Sequence, residues 1–202
     1  RGTSRWQASE GPEVIYRDGY YYLFLAYGSL SVEYNTRVCR SRNIDGPYVD
    51  IHGNSAMGSA QLYPILTAPY RFDNSYGWVG ISHCGIFDDG AGNWFYTSQG
   101  RFPVNVGGNE YSNAIMMGHV RSIRWDANGW PLVMPERYGA VPQAPITENE
   151  IAGDWEHLAL TNSTGTQRTS ETMAYDLDTH KITSGSWKNA TWTFDAATQT
   201  IT

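Results

Sequence analysis

Glu10 and His83 are the two side chains of this sequence best placed to do chemistry. Glu10 stands in the run EGPEV, where Gly11 and Pro12 fix the backbone just ahead of strand-forming residues. A carboxyl held at a rigid strand entrance can be aimed, and partial burial or a neighbouring carboxylate would raise its pKa into the range of a proton donor. Hydrolysis of a glycosidic bond uses such an acid together with a second carboxylate that acts on water or on the sugar. No second carboxylate here is equally well placed. Glu13 follows three residues later, close to the strand itself, and Asp88, Asp89 and Asp126 fall in Asp/Gly-rich turns, where aspartate ordinarily serves structure. By residue type alone Glu10 reads first as a solvated loop acid. His83, if aimed down a central axis, can hold an ion or a water; His119, on a later strand, is expected to be structural.

The element that must carry Glu10 is a hairpin. Residues 14–16 are β-branched or aromatic, Asp18-Gly19 supports the positive φ of a tight turn, and YYYLFLAY over residues 20–27 reads as a strand buried on both faces. The pattern then recurs. One unit runs from Glu10-Gly11-Pro12 through the hairpin to TRVCRS at 36–41, a turn at Asp45-Gly46-Pro47, and Tyr48-Val49. A second runs from His83-Cys84-Gly85 through a turn at 88–92 to NWFYTSQGRF, then MGHVRSIRW at 117–125, a turn at 126–129 and Pro131-Leu132-Val133. Each is expected to form four short strands, and Glu10 and His83, 73 residues apart, hold the same place in them. Four-stranded units with the first strand innermost predict blades of a β-propeller. Two blades cannot close a ring, so the remaining blades are expected from another stretch of chain.

Between the units, residues 51–78 form a long segment rich in Gly, Ser, Pro and Tyr, where Tyr63, Tyr70 and Trp78 either line a cleft or cover the edge of the fold. Trp78, Tyr27 and Arg101 are the candidate substrate contacts. Arg37, Arg40 and Arg121 flank strands in the same manner, and solvated strand edges are the default for all four arginines. Cys39 and Cys84 lack both disulfide-framework and zinc spacing and are expected to pack as small apolar groups. A Cys84 nucleophile paired with His83 is disfavoured, since adjacent strand residues point to opposite faces. Eight Trp and fourteen Tyr in 202 residues suit a site that stacks on sugar rings, or a large aromatic β core. With 14 Lys and Arg against 20 Asp and Glu and no basic cluster, nucleic acid is not an expected partner. No run approaches the roughly 20 apolar residues of a membrane span. The start at Arg1 reads as that of a fragment or processed chain. Residues 142–146 read as a linker, and the Thr-, Ser- and Asn-rich strands of 147–202 read as the beginning of a second β domain.

Taken together and in order, Glu10-Gly11-Pro12 with YYYLFLAYGSL, EYNTRVCRSRNIDGPYVD, His83-Cys84-Gly85 with its following turn, and MGHVRSIRWDANGWPLVMPERY resemble the second half of an arabinanase of glycoside hydrolase family 43, over about residues 4–140. The larger, two-domain endo-arabinanases are the most similar subgroup. The resemblance implies an all-β chain: part of a five-bladed β-propeller over 1–141 followed by the start of a C-terminal β-barrel domain. It implies inverting cleavage of α-1,5-linked arabinan or arabino-oligosaccharides, with Glu10 as the general acid and His83 helping to hold a calcium ion through its waters. The general base and the carboxylate that tunes the acid belong to earlier blades, so an N-terminal half is an implied partner and the chain alone is expected to be inactive. A secreted or periplasmic location follows from the substrate class. Exo-acting arabinofuranosidase or β-xylosidase action, and a non-catalytic sugar-binding propeller, are the alternatives. The pattern departs from the commoner one at Ser82-His83-Cys84, where Gly would precede the His and Asn would follow it.

Overall fold

The computed structural model describes residues 9–57, 65–141, 144–159 and 165–202; Tyr63 and the linker residues Pro142 and Gln143 lie outside them. Among the described residues the structure is all-β apart from short 3-10 turns, and the chain divides into two compact units.

The first unit is built on two antiparallel sheets. In one, β1 (Glu10–Arg17), β2 (Tyr20–Tyr27) and β3 (Asn35–Ser41) lie in that order. Asp18 and Gly19, at φ 49° and 81°, make the expected tight turn. β2 is buried on the face of Tyr22, Phe24 and Ala26 and only half-buried on the other, which corrects the expectation of burial on both faces. Tyr48-Val49 does not extend into a fourth strand. Val49 forms a single bridge with Arg40, with N–H to carbonyl distances of 2.9 Å in each direction. Pro47, which has no N–H to give, stands where a longer ladder would start.

After the short strand β4 (Tyr70–Arg71) comes the second sheet, with β5 (Val79–Asp88), β6 (Trp94–Arg101), β7 (Met116–Trp125) and β8 (Pro131–Val133) in sequence order. The core lies between the sheets: Tyr22, Phe24 and Val38 from one, Ile81, Ile86, Tyr96 and Ile123 from the other. Buried hydroxyls join them. Thr36 Oγ1 lies 2.8 Å from Ser82 Oγ and 2.7 Å from Tyr96 Oη, and Thr67 receives the Thr36 N–H while donating to the Ile81 carbonyl at 2.6 Å. At the turn-bearing end of the sheets Tyr22 donates to the Gly129 carbonyl at 2.5 Å, and Arg40 lies over the rings of both Tyr20 and Trp130.

The second unit holds a meander of β9 (Gly153–His157), β11 (Glu171–Asp176) and β12 (Lys181–Ile182), with β11 central, and a hairpin of β13 (Phe194–Asp195) and β14 (Thr200–Ile201). The remaining short strand, β10 (Arg168–Thr169), precedes β11. Ile151, Met173, Ile182 and Trp192 form the core of this unit. The strand-like runs from Lys181 and Ala190 shorten to two residues each, and Gly185, at φ 78°, lies in the bend that follows the first of them.

Candidate active site

Glu10 and His83 both sit at β-bulges in the first strand of their sheets. The register of β1 on β2 shifts between Glu10, opposite Ala26, and Glu13, opposite Phe24. That of β5 on β6 shifts between Val79 and Ser82 and again between Ser82 and Gly85, the interval that holds His83. A bulge kinks the strand and re-aims the side chain it carries. His83 has φ 59°, uncommon for a residue with a Cβ, and Gly11 has φ 54°. Gly11 is needed for a second reason. A Cβ on it would lie 3.1–3.3 Å from three atoms of the His83 imidazole, so the ring rests against bare backbone.

The two side chains meet through a third. Tyr34, just ahead of β3, donates its hydroxyl to Glu10 Oε1 at 2.5 Å and lies 3.0 Å from His83 Nδ1. The direct Glu10–His83 separation is 3.9 Å, too long for a hydrogen bond. Tyr34 is 1% exposed, whereas the side chains of Glu10 and His83 are 57% and 59% exposed. Burial, and then the Glu10 carboxylate, raise the Tyr34 pKa well above its ordinary value, so the phenol keeps its proton and acts as a donor. The carboxyl and the imidazole face solvent while the hydroxyl linking them is enclosed. Sequence reasoning missed Tyr34. Its only signal is its place immediately before a strand that pairs with the hairpin, and it is one of fourteen tyrosines.

Ser82 and Cys84 turn away from solvent on either side of His83, as strand alternation requires. Ser82 bonds Thr36, which gives the unexpected serine a packing role. Burial pushes the Cys84 thiol up to about 12, the opposite of an activated nucleophile. Cys39 is likewise buried and free, with its thiol pushed up to about 12.

Of the other expected contacts, Tyr27 ends β2, opposite Asn35, with the Arg37 guanidinium 4.8 Å over its ring. Trp78 is half-buried, stacked on Phe102 at 4.6 Å with the His119 ring edge-on at 4.2 Å. Arg101 donates to the Asn113 carbonyl at 2.9 Å. Only Tyr27 lies near Glu10, one place along β2 from Ala26, which Glu10 faces. Tyr70 is buried and donates to the Pro135 carbonyl. Arg121 is buried beside Tyr70, which corrects the expectation of a solvated strand edge. His119 is buried, and its pKa is lowered to about 4 by burial and then by the Arg121 and Arg137 cations. Asp89 accepts the N–H groups of Ala91 and Asn93, and Asp126 those of Asn128 and Trp130, so both serve their turns.

Among the described residues no group of three or more His, Cys, Asp or Glu side chains could hold a metal ion. His83 brings one nitrogen and Glu10 one carboxylate, while calcium takes six to eight oxygens. These residues do not by themselves fit such an ion.

A solvent-facing carboxyl backed by a buried phenol and an imidazole, on bulged strands of an all-β unit, is an arrangement able to hold and present a proton. The chain belongs to the glycosyl hydrolases family 43, whose model matches residues 2–131. It is 30% identical over 169 residues to the extracellular endo-α-(1→5)-L-arabinanase 2 of Bacillus subtilis (strain 168), covering 73% of this chain and 34% of that protein. It is 28% identical over 130 residues to the extracellular exo-α-(1→5)-L-arabinofuranosidase ArbA of Cellvibrio japonicus (strain Ueda107), covering 61% of this chain and 33% of that one. The crystal structure of the family 43 glycoside hydrolase YxiA of Bacillus licheniformis superposes with a TM-score of 0.78 at 26% identity, over 94% of this chain and 45% of that one. The chain thus spans about a third of the length of these curated relatives.

Proposed function

We propose that this chain supplies the general acid of an inverting endo-α-1,5-arabinanase. The observation that carries this reading is the Glu10 carboxyl, solvent-facing yet fixed by Tyr34 beside His83. In the proposed reaction Glu10 gives its proton to the glycosidic oxygen as the bond from that oxygen to the anomeric carbon breaks. The bonding pair leaves with the oxygen. Water attacks the anomeric carbon from the opposite face and gives its proton to a carboxylate of an N-terminal half, about 6.5–9.5 Å from Glu10. In this reading residues 1–141 contribute the last blades of a five-bladed propeller, 142–146 a linker, and 147–202 the start of a β-barrel domain. His83 would help hold a calcium ion near the propeller axis through that ion's waters, with groups beyond this chain completing the site; when bound, the ion would supply positive charge near the acid. The similarity to proteins named extracellular supports a secreted or periplasmic enzyme.

The test is release of reducing ends from linear arabinan by the full-length enzyme. Glu10→Gln should lower the rate by about 100-fold or more, as loss of a general acid does. A mixture of oligosaccharide lengths early in the digest is expected, whereas accumulation of a single short product would assign exo action. An unchanged rate in Glu10→Gln would leave Glu10 a loop acid and favour a non-catalytic sugar-binding role.

A further inference from the structure

The phenol of Tyr34 has one proton and two lone pairs, and an ionised carboxylate can only accept. With Glu10 ionised, the 2.5 Å contact is the Tyr34 O–H donating to Glu10 Oε1, and the 3.0 Å contact is then the Nδ1–H of His83 donating to the phenol oxygen. With a proton on Oε2, Oε1 as the carbonyl oxygen still accepts from Tyr34 and the arrangement persists; a proton on Oε1 would reverse both bonds, donating to the phenol while the phenol donates to a neutral His83 Nδ1. The first state keeps Tyr34 as donor to Glu10 and leaves Oε2 as the acid.

Its support is built for fixity. Next to Tyr34, the buried Asn35 amide donates to the carbonyls of Tyr27 and Glu33 at 3.2 and 2.7 Å, and its oxygen accepts from Arg37 Nε at 3.0 Å. At the other end of the loop Gly28, at φ 87°, packs so closely that a Cβ would stand 2.5 Å from the Glu33 carbonyl oxygen. The backbone on both sides of Tyr34 is clamped, and its ring is enclosed.

We propose that Tyr34 is a positioning residue for the acid: its hydroxyl ties Glu10 Oε1 to His83 and so presents Oε2 to the leaving oxygen. This rests on the reading of Glu10 as the general acid. Tyr34 touches neither substrate nor reacting atom, so its effect should grow with how much the leaving group needs a proton.

The experiment compares two substrates in the full-length enzyme, linear arabinan and an arabino-oligosaccharide bearing a 2,4-dinitrophenyl leaving group, which departs without protonation. Tyr34→Phe keeps the ring and should lower kcat on arabinan by about 10- to 100-fold, the loss of one hydrogen bond to a charged group, with KM nearly unchanged. The activated substrate should lose less than about two-fold, and Glu10→Gln should show the same split more strongly. An equal loss on both substrates, or no loss, in Tyr34→Phe overturns the proposal. If Glu10→Gln itself shows no loss on arabinan, the acid assignment has failed instead, and Tyr34 has no acid to position. Should Tyr34→Phe not fold, 3-fluorotyrosine at position 34 preserves ring and hydroxyl while making it a stronger donor. A changed ratio of the two rates then supports the proposal and an unchanged ratio overturns it.

Discussion

At the scale of single residues, His119 has the charge state that most depends on enclosure. Its pKa falls from an ordinary 6.5 to about 4 in the fold, so the folded protein refuses a proton that the unfolded chain accepts between those values. The stability this gives the neutral imidazole is full above 6.5, is lost as pH falls through that window, and is gone below about 4. At about 1.4 kcal/mol per pKa unit the loss comes to about 3.5 kcal/mol. Urea midpoints at about pH 7 and pH 4.5 should therefore differ less in His119→Phe than in the wild type. The residues that face the chemistry were unequally legible. Glu10 and His83 stood out because a repeated pattern put them at matching positions. Tyr34 lies in a loop with no counterpart in the second unit, and only three-dimensional closure of the 28–33 turn brings its hydroxyl between them.

Among the elements, the Asp18-Gly19 hairpin and the four-stranded sheet were readable from alternation and turn chemistry. The first sheet came out one strand short, since a sequence pattern counts extended residues without asking which can donate to a ladder. β9, Gly-Asp-Trp-Glu-His, was missed because it is polar and almost wholly exposed, with no apolar period to announce it. Also hidden was the hydroxyl joint between the sheets, where Thr36 bonds both Ser82 and Tyr96. Thr36→Val is expected to strand the buried Ser82 hydroxyl and leave Tyr96 with Thr67 alone, at a cost of about 1–3 kcal/mol read as a lower urea midpoint. Adding Ser82→Ala should recover part of it, because that removes one stranded partner; strict additivity of the two losses would count against the joint.

For the molecule as a whole, the outer face of the four-stranded sheet presents Phe87, Val120 and Leu132, with Tyr138 packed on Phe95 beside them, all substantially exposed. An apolar face of this kind on the 202-residue chain should bind a hydrophobic dye and favour self-association. Light scattering and dye fluorescence of the isolated chain against the full-length enzyme would check this; equal signals from the two would show that the face stays open in both. The bulges on β1 and β5 have another consequence, concerning how such a chain tolerates changes in its length. Removing Gly11 or Pro12 would erase the bulge and leave Glu10 opposite Ala26 in a regular ladder, without the kink that aims it at Tyr34. The exposed turn at Gly90-Ala91-Gly92, with open space around both glycines, can gain or lose residues without shifting any register. Natural variation in length should therefore collect at the hairpin tips and stay out of the short stretch between the acid and the strand that carries it.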